Sequence, residues 1–330
     1  MSTDQVVVVA GEALVDLVPA PTTGYFEMLP GGSPANVAVG LARLGVPVHL
    51  LARISDDLLG RRVRAHLERN GVGLDHAVAA AEPTSLAIVD VAPDGSPVYD
   101  FRIDGTADWQ WTPREVAGVL DERVVAVHSG SLALTMPPGA GVLRDLLHHA
   151  AATATVSYDP NCRPALMGDA HHVLGGVHDL LGVADVVKAS AEDLAWLLPG
   201  HSVEHVLEDW LRRGPAIVAV TLGEQGVVAG TAAGLRVRRP AVPVPVQDTV
   251  GAGDAFSAAL LSGLYRRGLL GARARPRLRA LDEDTLTQLL DEATLAAALT
   301  CTRRGADPPT TADLAHTAQG PTSALGSTRA

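Results

Sequence analysis

The chain has 330 residues, 47% of them hydrophobic and 19% charged, which is material for one large α/β domain or two modest ones. Its formal net charge is −11, with one lysine, Lys188, against 25 arginines; this argues against nucleic acid or anionic lipid as partner and excludes a Walker-type phosphate loop, since no Gly-Lys-Ser/Thr string exists. Two cysteines, Cys162 and Cys301, make no disulfide framework and no Cys-x-x-Cys pair, and no run reaches the roughly 18 apolar residues of a membrane span, so a cytoplasmic protein is expected.

Val6–Ala10 is an unbroken apolar run, the pattern of a strand buried on both faces. Ser33–Leu44 carries helical spacing at Val37, Leu41 and Leu44 and stops at Gly45. Val46–Ala52 reads as a strand and Asp57–Asn70 as an amphipathic helix ended by Gly71. Ser85–Val91 and Val98–Ile103 form a hairpin pattern around Pro93-Asp94-Gly95. Val124–His128, Thr155–Asp159, Val186–Lys188 and Ile217–Thr221 are short apolar strands separated by helical stretches. Helices are expected at Ala252–Arg267 and Asp284–Arg304, with an Arg-rich loop, Gly271–Ala280, between them. The histidines, including His148-His149 and His171-His172, lack a companion ligand pattern and read as surface residues. This alternation predicts parallel strands joined by crossover helices. Leu14–Leu29 and the hairpin stand outside it and suggest a small separate sheet, such as a lid. Residues 1–310 then form one domain, with lid segments near 12–32 and 85–106, and residues 311–330 a loosely held tail.

Asp248-Thr249-Val250-Gly251-Ala252-Gly253-Asp254, directly before a predicted helix, carries the strongest chemical signal. Gly251 and Gly253 let backbone N–H groups turn toward one point, and the helix adds the positive end of its dipole. The result is an anion hole that needs no lysine, with the carboxylate of Asp254 at its edge. An anion hole beside a base is what phosphoryl transfer to an alcohol requires. Taken alone, Asp254 also reads as a plain helix cap.

A second string, Gly31-Gly32-Ser33-Pro34-Ala35-Asn36, precedes the first helix. Together the two strings resemble the signatures of the ribokinase-like (PfkB) carbohydrate kinases, and the likeness runs in order from about Val6 to Pro309. It implies a three-layer α/β/α fold with a mostly parallel sheet and a β-sheet lid. It further implies an ATP-dependent kinase acting on a primary alcohol of a small sugar, with Mg2+ and, in some members, a monovalent cation. By this resemblance Asp254 is the base, and Gly251, Ala252 and Gly253 hold the developing charge. Asp16, Gly31, Gly32, Asn36, Asn161 and Arg163 meet the substrate. Phe101-Arg102-Ile103-Asp104-Gly105 resembles the lid string of the fructokinase-like branch. Phe101 and Arg102 point to opposite faces of a strand, so both cannot line one pocket without a bulge. Lys188, Ser190, Thr221, Gly223, Gly226 and Gly305 fall on the nucleotide side.

Ser190 and Asp193 occupy the places of the family's Asn-x-x-Glu; Asp193 then reaches a metal through water, and it can close a capping box on Ser190 at the same time. Ser33 stands where ribokinases and phosphofructokinases commonly carry lysine, which favours fructose as acceptor. A 2-keto-3-deoxygluconate kinase, with Arg102 and Arg163 meeting the carboxylate, is the nearest alternative. A nucleoside kinase fits poorly with 3% aromatic content, and a non-catalytic sugar-binding regulator belongs to another class. Family members often pair lid to lid, so a homodimer is expected.

Overall fold

The computed structural model describes residues 5–20, 24–91 and 97–318. The turn expected at Pro93-Asp94-Gly95 and the end of the tail lie outside the described residues.

Strand β1 (Val6–Ala10) runs through the central sheet and leads to β2 (Leu14–Pro19) and β3 (Phe26–Gly31) of a second sheet. β4 (Val48–Leu51) returns to the first sheet, and β5 (Arg53–Ser55) pairs with β6 (Val78–Ala80). β7 (Leu86–Val91) and β8 (Pro97–Arg102) complete the second sheet. β9 (Val124–Gly130), β10 (Thr155–Asp159), β11 (Val186–Ser190), β12 (Ile217–Thr221), β13 (Val227–Thr231) and β14 (Arg236–Arg239) complete the first.

The central order is β14-β13-β12-β11-β10-β9-β1-β4, parallel from β4 to β12 and antiparallel over the last two pairings. Alternation sorts its side chains to two cores. Val7 and Val9 pack with the helices Ser33–Arg43, Ala252–Arg266 and Glu283–Cys301. Val6 and Val8 pack with Ala140–Ala150, Ala170–Leu181 and Val203–Arg213 on the other face. Three layers result, and the carboxyl ends of β1, β9, β10, β11 and β12 open on one edge, where such sheets bind ligands.

Four departures from the sequence reading have local causes. The run Val46–Ala52 breaks after Leu51, and β5 leaves the sheet to pair with β6. The Arg-rich segment contains a helix, Arg275–Arg279, and Arg275 donates to the buried Asp185 at 2.8 Å. Where a loose tail is expected, Thr311–Ala318 is helical, and Asp313 caps it and pairs with Arg303 at 3.0 Å. His128, on β9, is buried beside Ser157 rather than at the surface.

The lid order is β3-β2-β7-β8. Its root is held by one buried carboxylate: Asp108 accepts from Ala13 N–H at 2.8 Å, before β2, and from Ser85 Oγ, before β7. Arg53 ties the same region to Glu82, Glu115 and the carbonyl of Ala107. Beneath it lies Glu12, 1% exposed, which accepts from Ala133 N–H at 3.2 Å. Burial, reinforced by Asp108, pushes Glu12 up to about 7 against its hydrogen bonds. Its folded value lies above the unfolded one, so its contribution to stability is present in acid and lost as pH rises through 7. Glu12→Gln keeps an acceptor and removes the ionisation. Thermal melts are therefore expected to show a variant-minus-wild-type difference that is more positive at pH 8 than at pH 5; a difference independent of pH would contradict this.

Candidate active site

The helix Ala252–Arg266 begins at Gly251, which is left-handed at φ 78. A Cβ on Gly251 would meet Ala306 at 2.6 Å, so both conformation and space require glycine. The helical ladder starts with Ala255 N–H to Gly251 C=O at 2.8 Å, leaving the N–H groups of Gly253 and Asp254 without a helical carbonyl. Ala252 N–H turns back to Thr249 C=O at a long 3.3 Å. The expected anion hole therefore has Gly253 as its freest amide and Ala252 as a partly engaged one.

Asp254 is 8% exposed and clamped from the first helix. Ser33 Oγ donates to its Oδ1 at 2.6 Å and Asn36 Nδ2 to its Oδ2 at 2.8 Å. Each carboxylate oxygen keeps a further lone pair for an incoming hydroxyl. The sequence reading gave Asn36 to the substrate and used Ser33 only as a marker of substrate class; both also hold the Asp254 carboxylate. The signal was available: Ser33 and Asn36 stand three apart, one helical turn, at the end of a Gly-Gly entry.

Lys188, in the middle of β11, donates to Asp159 Oδ2 at 2.9 Å, with both side chains buried. Burial alone would lower the Lys188 pKa; the carboxylates of Asp159, Asp193 and Asp254 outweigh it and hold the ammonium above its ordinary value. A Cβ on Gly253 would lie 2.7 Å from Lys188 Nζ, so this one lysine borders the anion hole. Asp193 accepts from Cys162 N–H (2.6 Å), Ser190 N–H (2.8 Å) and Ser190 Oγ (2.8 Å), while its own N–H donates to Ser190 Oγ. Both oxygens serve the capping box and the β10 loop. Asp193 is thus built into the wall, and its neighbour Glu192, like Glu224, is an exposed carboxylate lining the cleft.

The cleft over these groups encloses about 1410 Å³ and runs beneath the lid. At one end Asp16, on β2, sits over Gly31, where a Cβ would collide with its carboxylate. Burial pushes Asp16 up to about 6; the charge of Arg163 opposes this and that of Asp254 adds to it. Arg163 donates to Asn161 Oδ1 at 2.8 Å and to Cys162 C=O at 2.9 Å, and Asn161 is itself left-handed at φ 39. Gly32, Asn36, Asn161, Arg163 and Phe101 line this end. Arg102 does not: it is 67% exposed and paired with Asp100 at 2.6 Å, because strand alternation turns it away from Phe101. The expectation that Arg102 meets the substrate is corrected on that ground.

At the other end Ser190, Thr221, Gly223, Gly226 and Gly305 all line the cleft, as expected. The sequence reading missed the rest of this wall: Val242, Val244 and Val246 from the segment before the motif, and Ala297 and Cys301 from the long helix. The exposed Val246 was the available clue, at 64% exposure in an apolar alternating string. A polar, helix-terminated centre between a polyol-sized polar end and an apolar slot has the layout for moving a phosphoryl group from a nucleotide to an alcohol.

Comparison with known proteins agrees. The family model described as pfkB family carbohydrate kinase matches residues 4–313. The fructokinase of Rhizobium leguminosarum bv. trifolii is 32% identical over 279 residues, 84% of each chain. The crystal structure of fructokinase with bound ATP from Xylella fastidiosa superposes with a TM-score of 0.87 at 28% identity, covering 95% of this chain and 98% of that one. That of Vibrio cholerae O395 fructokinase, in a form with fructose, ADP and calcium ion bound, gives 0.80 at 28% identity over 94% and 98%.

Gly251→Ala should cost about 1–2 kcal/mol of stability for the left-handed conformation alone, lowering Tm, and the displaced loop should weaken ATP binding. Gly141→Ala, in open helical space, is the control expected to leave ATP affinity unchanged and Tm unchanged or slightly raised. Calorimetry showing wild-type ATP affinity in Gly251→Ala would contradict the anion-hole geometry.

Proposed function

The chain belongs to the pfkB family of carbohydrate kinases, and we propose that fructose is the sugar to which it transfers the γ-phosphoryl group of ATP. The observation that carries the chemistry is the double clamp of Asp254 by Ser33 and Asn36 at a helix N-terminus. In this reading the substrate hydroxyl donates to Asp254, which takes its proton as the oxygen attacks the γ-phosphorus. The amides of Gly251, Ala252 and Gly253, with Lys188 beside them, hold the charge that develops on the transferred group. Asp16 and Arg163 orient the sugar from one side, and Gly31, Gly32 and Phe101 close over it, so that water does not compete as acceptor.

Fructose suits the electrostatics. The sugar end presents two carboxylates, Asp16 and Asp254, and one nearby guanidinium, Arg163, whose charge already bears on Asp16. A neutral polyol is recognised there by hydroxyl donors, whereas a phosphorylated or carboxylated sugar would be repelled. With Arg102 outside the cleft, a 2-keto-3-deoxygluconate reading loses one of its two cations.

Among the described residues no cluster of three or more His, Cys, Asp or Glu forms a metal cage. This fits Mg2+, which keeps waters and binds mainly through nucleotide phosphates. Glu192 is the carboxylate placed to meet the ion through water; when bound, the ion neutralises phosphate charge. The pairing surface of a homodimer is the lid, whose Tyr25 and Phe26 are 67% and 54% exposed. A cytoplasmic location accords with the finding that no described helix is long and apolar enough to cross a membrane.

A coupled assay over a sugar panel is expected to give turnover with fructose and little with ribose, fructose 6-phosphate or 2-keto-3-deoxygluconate; turnover only with the keto-deoxy acid would reverse the assignment. Asp254→Asn should lower kcat by about 10²–10⁴ with an unchanged Tm, and a near-normal rate would remove Asp254 from its role. Because Asp16 accepts from the sugar as a carboxylate and titrates near 6, KM for fructose is expected to rise as pH falls through that value. Asp16→Asn should raise KM throughout and flatten the profile.

A further inference from the structure

Arg304 follows the long helix Glu283–Cys301 and lines the cleft between its two ends. Its Nη2 donates to the carbonyl of Pro19, the last residue of β2, at 2.6 Å, across 285 residues of sequence. The same nitrogen lies 3.3 Å from Glu27 Oε2 on β3. Arg304 therefore grips the β2–β3 hairpin at its far end, opposite the root held by Asp108 and Arg53.

The residues on either side connect this grip to the anion hole. Gly305 N–H donates to Asp248 Oδ2 at 2.8 Å, and Asp248 Oδ1 accepts from Val250 N–H at 3.0 Å. Asp248 N–H reaches back to Cys301 C=O at 3.3 Å. Leu29 of β3 fills the space over Gly305, 3.0 Å from where a Cβ would stand, and Ala306 fills the space over Gly251. From Gly251 to the lid tip the contacts are continuous: Gly251, Ala306, Gly305, Arg304, Pro19 and Glu27. The loop that backs the phosphate site is thus the loop that holds the sugar lid.

We propose that Arg304 is a positioning residue that couples the two substrates: a nucleotide that orders the 248–251 and 304–306 loops fixes Arg304, and Arg304 in turn holds the β2–β3 hairpin over the sugar. This rests on the kinase reading above. Two features shape its consequences. The bond to the Pro19 carbonyl is charge-assisted and directed at backbone, so it survives changes of lid side chain. The Glu27 arm is partly exposed, so salt screens it. Coupling of this kind is reciprocal, so fructose must tighten nucleotide by the factor by which nucleotide tightens fructose.

The test uses the full-length protein, the non-hydrolysable analogue AMP-PNP with Mg2+, and amide hydrogen exchange. In the wild type, saturating AMP-PNP without sugar should slow exchange in Leu14–Pro19 and Phe26–Gly31, and should tighten fructose by about fivefold or more, the lower range of allosteric coupling. Arg304→Ala should lose both effects at saturating nucleotide, and Arg304→Lys, which keeps the charge and one donor direction, should recover part of them. Glu27→Gln should keep the part carried by the Pro19 carbonyl but lose the dependence of the coupling on ionic strength. Equal protection in Arg304→Ala and wild type, or no nucleotide-dependent protection in wild type, would overturn the proposal. Failure of fructose turnover would instead sink the fructose assignment and leave the exchange readout standing, since that readout needs no sugar.

Discussion

Two helices that are far apart in sequence approach closely enough for Gly40 of one to face Ala258 of the other, where a Cβ on Gly40 would come within 2.6 Å of the Ala258 methyl. The rest of the site depends on this approach. It brings the N-termini of both helices to one edge of the sheet and sets Ser33 and Asn36 against Asp254. A second close approach holds the Gly31-Gly32 entry beside the β1–β2 crossing, where a Cβ on Gly32 would strike the Glu12 carbonyl oxygen at 2.6 Å. The packing of the two helices sets the orientation of the Asp254 carboxylate beside the helix N-terminus without a long cationic side chain, while Arg53 ties the lid root.

That explains how a chain of charge −11 with one lysine handles phosphate. Lys188 is committed to Asp159, and its proximity to Gly253 lends the anion hole a positive field without a flexible arm. In the proposed mechanism the remaining work falls to peptide N–H groups at a helix end, which a fixed backbone presents without reorganisation when charge develops. The acidic balance has a second use: carboxylates on the sugar side favour a neutral, hydroxyl-bearing acceptor.

The elements that carry strong local pattern were legible. Val6–Ala10, the small-residue helix after Gly251 and the long apolar helix ending at Cys301 lie within a few residues of their expected bounds, because burial on two faces or one stripe leaves an unambiguous period. Gly251 is required by its left-handed conformation, which a local pattern can signal, whereas Gly253 is required by the space Lys188 Nζ takes, which it cannot. Relations set by tertiary packing were not legible. Ser33 touches Asp254 across 221 residues, Arg304 touches Pro19 across 285, and Asp108 joins two lid strands whose only link is the fold. β14 carries little sequence signal, because an antiparallel edge pairs through backbone and tolerates its run of arginines. The capping box of Asp193 on Ser190 was legible, since a side chain three residues from its cap reaches the backbone.

The central claim is that backbone amides at Gly251–Gly253, with Lys188 beside them, hold the transferred group against Asp254. A crystal structure with fructose, ADP, Mg2+ and aluminium fluoride tests it most directly. The account predicts the fluoride group within hydrogen-bond distance of the Gly253 N–H, and a primary hydroxyl of fructose bonded to an Asp254 oxygen and in line with the leaving phosphate. A fluoride group held by arginine side chains away from the helix N-terminus, with Asp254 facing only Ser33 and Asn36, would contradict it.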